Sequence, residues 1–87
     1  MAYVPNFPPI DNPGWSDLQQ AEKIVEEARE AFTEARLGNT ADMLEEVMDV
    51  IVACETLLRM HPEETDAAYS AVMEKNRNRG YWKEERA

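Results

Sequence analysis

Residues 16–60 read SDLQQAEKIVEEAREAFTEARLGNTADMLEEVMDVIVACETLLRM, and this stretch decides the fold. Ser16 followed three residues later by Gln19 is a capping box, which predicts that a helix begins there. Apolar residues then recur at spacings of three and four, the period of one helix face. Gly38 favours a left-handed helix end, so the first predicted helix runs from Ser16 to about Leu37.

A second helix is predicted from Asn39 or Thr40, either of which can cap it, to about Met60. Its composition is apolar almost all round, which is typical of a helix buried on more than one side. The short turn makes the two helices antiparallel neighbours. We expect an apolar seam of the first helix to face the second, formed by Leu18, Ala21, Val25, Ala28, Phe32 and Ala35 and widened on one side by Ile24 and Ala31.

A third helix is predicted from Pro62 to about Gly80, with Ala68, Ala71 and Val72 facing inward. The chain then divides into three segments: an extended proline-rich arm (1–15), a helical domain (16–80) and a charged tail (81–87). We expect the apolar side chains of the arm to lie across a helical surface, with a partner subunit as one candidate; the alternative is a disordered leader.

The composition limits the class of protein. The 87 residues allow one domain with a marginal core, and oligomerisation is the expected remedy, as a homodimer or homotetramer. Cys54 is the only cysteine, which excludes an internal disulfide and favours a reducing cytoplasm. A net charge of −9 argues against nucleic-acid polymers and anionic membranes as partners. No apolar run is long enough to span a bilayer, and no signal peptide is recognisable.

Two pairs of carboxylates carry the candidate chemistry: Glu27 with Glu30, and Glu46 with Asp49. Residues three apart on a helix share one face, so each pair can reach one cation. A single such pair is usually only solvated. Two pairs on adjacent helices bring like charges together, which is unfavourable unless a cation neutralises them. Oxygen ligands favour Mg²⁺, with Mn²⁺ as a substitute, and Mg²⁺ commonly takes part of its shell from substrate phosphates.

Basic and amide side chains near the end of the third helix are candidates for binding phosphate: Lys75, Asn76 and Arg79. The alternative is that a basic last turn only complements the helix dipole. Lys23, which precedes the first carboxylate pair, is a further candidate for contact with substrate. His61 is expected to be a helix-end residue rather than a metal ligand.

These motifs resemble the MazG-like all-α nucleotide pyrophosphohydrolases. The family has E-x-x-E on one helix and E-x-x-D on the next, as at Glu27–Glu30 and Glu46–Asp49. The run KNRNRGY at 75–81 is similar to the K-N-x-x-R-G-Y ending of many short members. The resemblance covers about residues 16–82. It implies a MazG-like bundle with three helices per chain, whose four-helix-type core is completed by oligomerisation.

The resemblance also implies an activity, the Mg²⁺-dependent hydrolysis of a nucleoside triphosphate to monophosphate and pyrophosphate. The four carboxylates would be the metal ligands, and Glu26 or Glu27 would orient the attacking water. Two alternatives stay open: a phosphoribosyl-ATP pyrophosphatase, and a non-catalytic acidic helical dimer that binds metal or another protein. Aromatic residues that could stack on a base are more readily explained by packing: Phe7, Trp15, Tyr81 and Trp82.

Overall fold

The computed structural model describes residues 2–11 and 14–83, which contain three α-helices and no strand. Helix α1 spans Asp17–Leu37, α2 spans Thr40–Arg59 and α3 spans Pro62–Asn78. The predicted all-helical class and the number of helices are therefore confirmed. Within these ranges, no helix combines the length and the apolar character needed to cross a membrane. Parts of the predicted arm (1, 12 and 13) and tail (84–87) lie outside the described residues.

Both ends of α1 form as the sequence predicts. The Oγ of Ser16 accepts a hydrogen bond from the backbone N–H of Gln19 at 3.1 Å. In return, the backbone N–H of Ser16 donates to Oε1 of Gln19 at 2.8 Å, which completes the capping box. At the other end Gly38 has φ 75°, and its N–H donates to the carbonyl of Ala35. A left-handed residue with this bond ends the helix and turns the chain.

The turn between α1 and α2 contains only Gly38 and Asn39. Asn39 occupies the N-cap position of α2, but its side chain makes no capping hydrogen bond there. Its Nδ2 donates instead to Oε2 of Glu34 at 2.8 Å, and its backbone N–H donates to the Glu34 carbonyl at 3.0 Å. Asn39 therefore fastens the turn to the end of α1, and the predicted side-chain cap of α2 is absent at this residue.

The chain forms two compact units. The hairpin unit, Pro5–Met60, contains α1 and α2, and the α3 unit combines Met1–Val4 with His61–Ala87. In the hairpin unit the Nε2 of Gln20, near the start of α1, donates to the carbonyl of Ala53, near the end of α2, at 3.0 Å. Because Glu30, later in α1, contacts Glu46, earlier in α2, the two helices run antiparallel.

The buried face of the hairpin is unusually polar. Only two hydrophobic residues among those described are buried, Ala31 and Ala53, whereas four polar or charged residues are buried. These four are Gln20, Glu27, Glu55 and Thr56. Buried polar groups are costly unless they are hydrogen-bonded. Two of the four, Gln20 and Glu27, lie where α1 meets α2, whereas Glu55 is bonded to the N-terminal arm.

The expected apolar seam of α1 does not face α2. Leu18, Val25 and Phe32 are 69%, 46% and 63% exposed, respectively. They lie seven residues apart and form one line along the helix, which we call the outer stripe. The flank of the predicted face is buried instead, with Ala31, which widens that face, and the adjoining Glu27. The prediction was wrong for the outer stripe, because hydrophobic periodicity identifies an apolar face without identifying what covers it.

The α3 unit begins with His61 at the N-cap position and Pro62 in the first turn of the helix. Gly80 has φ 71°, its N–H donates to the carbonyl of Arg77, and the Tyr81 N–H donates to that of Asn76. These two bonds form a Schellman motif, so Gly80 ends the helix as predicted.

Contacts within the α3 unit join its two segments of chain. The Tyr3 N–H donates to Oδ1 of Asp66 at 3.0 Å, and the rings of Tyr3 and Tyr69 meet edge to face at 5.6 Å. The Trp82 indole donates to the carbonyl of Met73 at 2.9 Å. No residue of α3 is buried, and Val72 is 45% exposed. The prediction that Ala68, Ala71 and Val72 face inward is therefore wrong for the single chain.

Candidate metal centre

Three carboxylates meet between α1 and α2. Glu27, Glu46 and Asp49 each offer an oxygen, and these oxygens lie within 4.8 Å of one another. Glu27 is buried, Glu46 is half-buried and Asp49 is exposed, so the cluster opens from the helix contact towards solvent. The antiparallel arrangement explains the geometry, because it places the two carboxylate pairs at the same level of the hairpin.

Glu46 is the member of this cluster with the least favourable surroundings for a negative charge. Its Oε2 is buried and has no hydrogen-bond partner. A hydrogen bond with Glu30 is the largest cause that raises the pKa of Glu46 to about 7 from its ordinary 4.5. Burial adds to this shift, as do the negative charges of Glu30, Asp49 and Glu27. A carboxylate in such surroundings either keeps a proton or requires a cation.

The donor set fits a hard divalent cation. All ligands are carboxylate oxygens, which are the ligands that Mg²⁺ and Mn²⁺ prefer, and no thiol or imidazole is among them. An orphaned buried oxygen at Glu46 is the second observation in favour, because a cation would give it the partner that the protein does not. Glu30 adjoins Glu46 and supplies a fourth carboxylate at the edge of the cluster. The predicted set of four is therefore brought together, with three members close enough to share one ion.

Lys23 lies next to this cluster. Its Nζ is 3.0 Å from Oε1 of Glu27 and 3.6 Å from Oε1 of Glu26. The hydrogen bond to Glu27 is the largest cause that raises the pKa of Lys23 above its ordinary value, so the ammonium stays charged. Glu26 itself is exposed, with 58% of its side chain accessible. Of the two predicted water-orienting residues, only Glu27 belongs to the cluster.

A cleft of about 390 Å³ adjoins the carboxylates. Glu27, Asp49 and Lys23 line one part of it. The remaining wall includes residues from the arm, from the start of α1 and from the end of α2: Ile10, Asp11, Trp15, Gln20, Val52 and Ala53. Pockets of this size accommodate small organic ligands, and a mixture of apolar wall and a few polar groups is typical of them.

The predicted phosphate-binding residues Lys75, Asn76 and Arg79 belong to the α3 unit. The carbonyl of Asn76 accepts the Tyr81 N–H of the helix end, and the guanidinium of Arg79 lies 5.9 Å from the centre of the Tyr81 ring. The backbone of Lys75 likewise accepts from Arg79. These contacts explain the helix end, and the phosphate-binding role stays a prediction.

Two buried residues of the hairpin unit were not singled out as site residues from the sequence. Gln20 is 2% exposed and bridges α1 to the Ala53 carbonyl; Glu55 is 1% exposed. Glu55 interrupts a mostly apolar face of α2, which was the available signal, whereas the neighbours of Gln20 at helical spacing are mostly polar and gave none. A polar residue in the middle of an apolar face is either a satisfied structural group or part of a site, and the pattern alone does not distinguish the two.

No family model, no curated protein and no solved structure matches this chain.

Proposed function

We propose that the chain is a metal-dependent hydrolase that acts on a phosphoric anhydride. Within that class, we propose a MazG-like pyrophosphohydrolase that converts a nucleoside triphosphate to a monophosphate and pyrophosphate in the cytoplasm. The observation that supports this most directly is the cluster of Glu27, Glu46 and Asp49 beside an open cleft. An acidic cluster with an unsatisfied buried oxygen suits a cation whose remaining ligands come from a substrate.

In this proposal Glu27, Glu46 and Asp49 hold Mg²⁺, and Glu30 neighbours Glu46 at the edge of the site. The bound ion would neutralise phosphate oxygens and lower the pKa of a coordinated water. Lys23 stays charged beside Glu27 and donates to a phosphate oxygen once substrate enters the cleft. Lys75, Asn76 and Arg79 remain further candidates for the same role.

The reaction requires a water that attacks the α-phosphorus while the bond to the bridging oxygen breaks and pyrophosphate leaves. Glu27 is the better candidate to orient this water, because it lines the cleft and Glu26 does not. Glu27 accepts the proton of the water and returns it to solvent. Positioning and charge neutralisation supply most of the rate enhancement in phosphoryl transfer, so few further groups are needed.

The single chain leaves apolar side chains exposed on both helices of the hairpin unit. The outer stripe of α1 is exposed in the single chain, and so are Leu44 and Met48 of α2, each at 50%. A chain of 87 residues with only two buried hydrophobic residues among those described has little core of its own. We propose that a second copy covers these apolar faces, as in a MazG-like bundle, in a homodimer or homotetramer.

The test compares two neighbouring substitutions. Glu46→Gln removes a proposed ligand, whereas Glu45→Gln makes the same chemical change at an exposed position of the same helix. Each protein is incubated with the common NTPs and dNTPs, in Mg²⁺ or in EDTA, and monophosphate and pyrophosphate are quantified. We expect Mg²⁺-dependent pyrophosphate release by the wild type and by Glu45→Gln, and its loss in Glu46→Gln with the helical circular dichroism retained.

Other products or no product would contradict this function. Release of orthophosphate and a diphosphate would place attack at the γ-phosphorus instead. No turnover of any nucleotide by a folded protein that binds Mg²⁺ would favour the non-catalytic metal-binding module.

A further inference from the structure

The N-terminal arm is fastened to α2 by a buried carboxylate. Oε2 of Glu55 accepts the backbone N–H of Asn6 at 2.7 Å and its side-chain Nδ2 at 3.2 Å. Oε1 of Glu55 accepts the backbone N–H of Phe7 at 3.0 Å. One turn further along α2, the guanidinium of Arg59 donates to the carbonyl of Phe7. Two consecutive residues of the arm are therefore held through their main chain.

Attaching the arm through a buried carboxylate costs desolvation free energy. Glu55 is 1% exposed, and its charge is tolerated because both oxygens accept hydrogen bonds. Well-packed apolar residues often stabilise a protein as much as a buried charge does, but they leave the register of an extended segment free to slip. Bonds to the N–H groups of two adjacent residues fix that register. Glu55 thus sets where the following arm residues lie.

Those following residues form a wall of the cleft beside the carboxylates. Ile10 and Asp11 come three and four positions after Phe7, and Trp15 precedes the cap of α1. Trp15 is 43% exposed and Ile10 is 53% exposed, so each keeps apolar surface available. The lining of the cleft therefore combines two kinds of chemistry. The metal candidates and Lys23 supply charge, and the arm supplies an indole, an aliphatic side chain and one carboxylate.

This combination suits a molecule with a charged end and an uncharged aromatic end. Phosphates suit the cation site and Lys23, and the Asp11 carboxylate disfavours a second anionic group beside the arm residues. An indole provides a stacking surface for any nucleobase, and a carboxylate accepts hydrogen bonds from amino or hydroxyl groups. The volume of about 390 Å³ is within the range of small-ligand sites.

We propose that the arm side of this cleft is the subsite for the nucleoside part of the substrate, with Trp15 as its stacking surface and Glu55 as the residue that positions the arm. The proposal rests on the proposed function for the phosphate end of the ligand. It assigns a role to two residues that the carboxylate chemistry does not use.

The first experiment separates nucleoside from phosphate recognition. Kinetic constants are measured for the best nucleoside triphosphate and for inorganic triphosphate, which lacks a nucleoside, as an inhibitor. We expect Trp15→Ala to raise KM for the nucleotide by about 10- to 100-fold, from the strength of base–aromatic stacking. The inhibition constant of inorganic triphosphate should change less than about twofold in the same variant, because a substitution that does not contact the phosphate site has only a small effect on binding there. Trp15→Phe should restore most of the affinity.

The second experiment tests Glu55. Glu55→Gln is compared with Glu45→Gln, the matched change at an exposed position of α2. We expect Glu55→Gln to raise KM for the nucleotide while Mg²⁺ affinity, measured by calorimetry without nucleotide, stays unchanged. If Glu55→Gln loses helical structure, Asn6→Ala replaces it, because it removes only the side-chain donor and leaves both main-chain bonds. A smaller rise in KM in the same direction is then expected.

A binding measurement keeps this proposal separate from the proposed reaction. In a Trp82→Phe background Trp15 is the only tryptophan. Addition of a nucleoside triphosphate with Mg²⁺ should quench its fluorescence, whereas inorganic triphosphate should not. Quenching without turnover would support the nucleoside subsite and contradict the proposed hydrolase function. Unchanged Trp15 emission at saturating nucleotide, or equal effects of Trp15→Ala on both ligands, would overturn the subsite.

Discussion

The exposed area of the outer stripe of α1 sets the scale of the free energy that self-association can gain. Phe32 is 63% exposed in the single chain, with the Arg36 guanidinium 5.8 Å from the centre of its ring. A Phe residue offers about 200 Å² of surface, so about 130 Å² of Phe32 is available for burial. At about 25 cal/mol per Å², covering it contributes about 3 kcal/mol per subunit. A symmetric dimer would contain two such contacts, or about 6 kcal/mol as an upper bound.

We therefore expect Phe32→Asp to weaken self-association at least 100-fold, because part of that bound offsets the entropy lost on association. Sedimentation equilibrium over a range of protein concentrations gives the dissociation constant directly. Ala67→Asp introduces the same charge at an exposed position of α3 and serves as the control. A wild type that is monomeric throughout the range, or a Phe32→Asp protein with an unchanged constant, would refute the argument.

Three further predictions concern the hairpin unit. Because the pKa of Glu46 is raised to about 7, the folded chain keeps this proton where the unfolded chain has lost it. The contribution of Glu46 to the free energy of unfolding should therefore be present at low pH and be lost as the pH rises from about 4.5 to about 7 in EDTA. Urea unfolding should show this decrease with pH in the wild type and a smaller decrease in Glu46→Gln. Lys23→Gln should raise KM for the nucleotide yet strengthen Mg²⁺ binding in calorimetry, because the ammonium no longer pairs with Glu27. Gly38→Ala should cost about 1–2 kcal/mol in urea unfolding, since φ is 75° and an added Cβ meets no atom within 4 Å; no loss would show that the turn relaxes.

The helix boundaries were predictable because local chemistry sets them. The Ser16 capping box, the left-handed Gly38 and Gly80, and Pro62 in the first turn all act within a few residues of the chain. Each signal depends on hydrogen bonds or dihedral angles that the neighbours determine. Asn39 is the exception, because its side chain had two partners within reach and bonded to Glu34 rather than to α2.

The approach of the carboxylates was predictable for a similar reason. Spacing of three on each helix and a two-residue turn leave few ways to arrange Glu27, Glu46 and Asp49. What spacing does not give is burial. The orphaned oxygen of Glu46 and its raised pKa depend on the angle between the helices and on the rotamer of Glu30, neither of which is encoded in a pattern of residue types.

Long-range contacts of single polar residues were not predictable. Glu55 is bonded to Asn6 and Phe7 across nearly fifty residues of sequence, and Gln20 reaches the Ala53 carbonyl. Nothing in the periodicity of α2 indicates which segment will cover its polar position. The exposure of the apolar face of α1 was not predictable either, because periodicity shows which residues share a face and not whether another element covers it.

The unsatisfied oxygen of Glu46 has a consequence for how this protein can evolve. A half-buried carboxyl group that has an unpaired oxygen and is surrounded by other acids is one that selection for heat resistance alone would change. Random variants chosen only for heat resistance, in buffer without divalent ions, should therefore accumulate amide or aliphatic residues at position 46. Persistence of glutamate there under such selection would mean that the residue serves the fold. Its rapid loss would identify position 46 as one that is kept only for what the protein does.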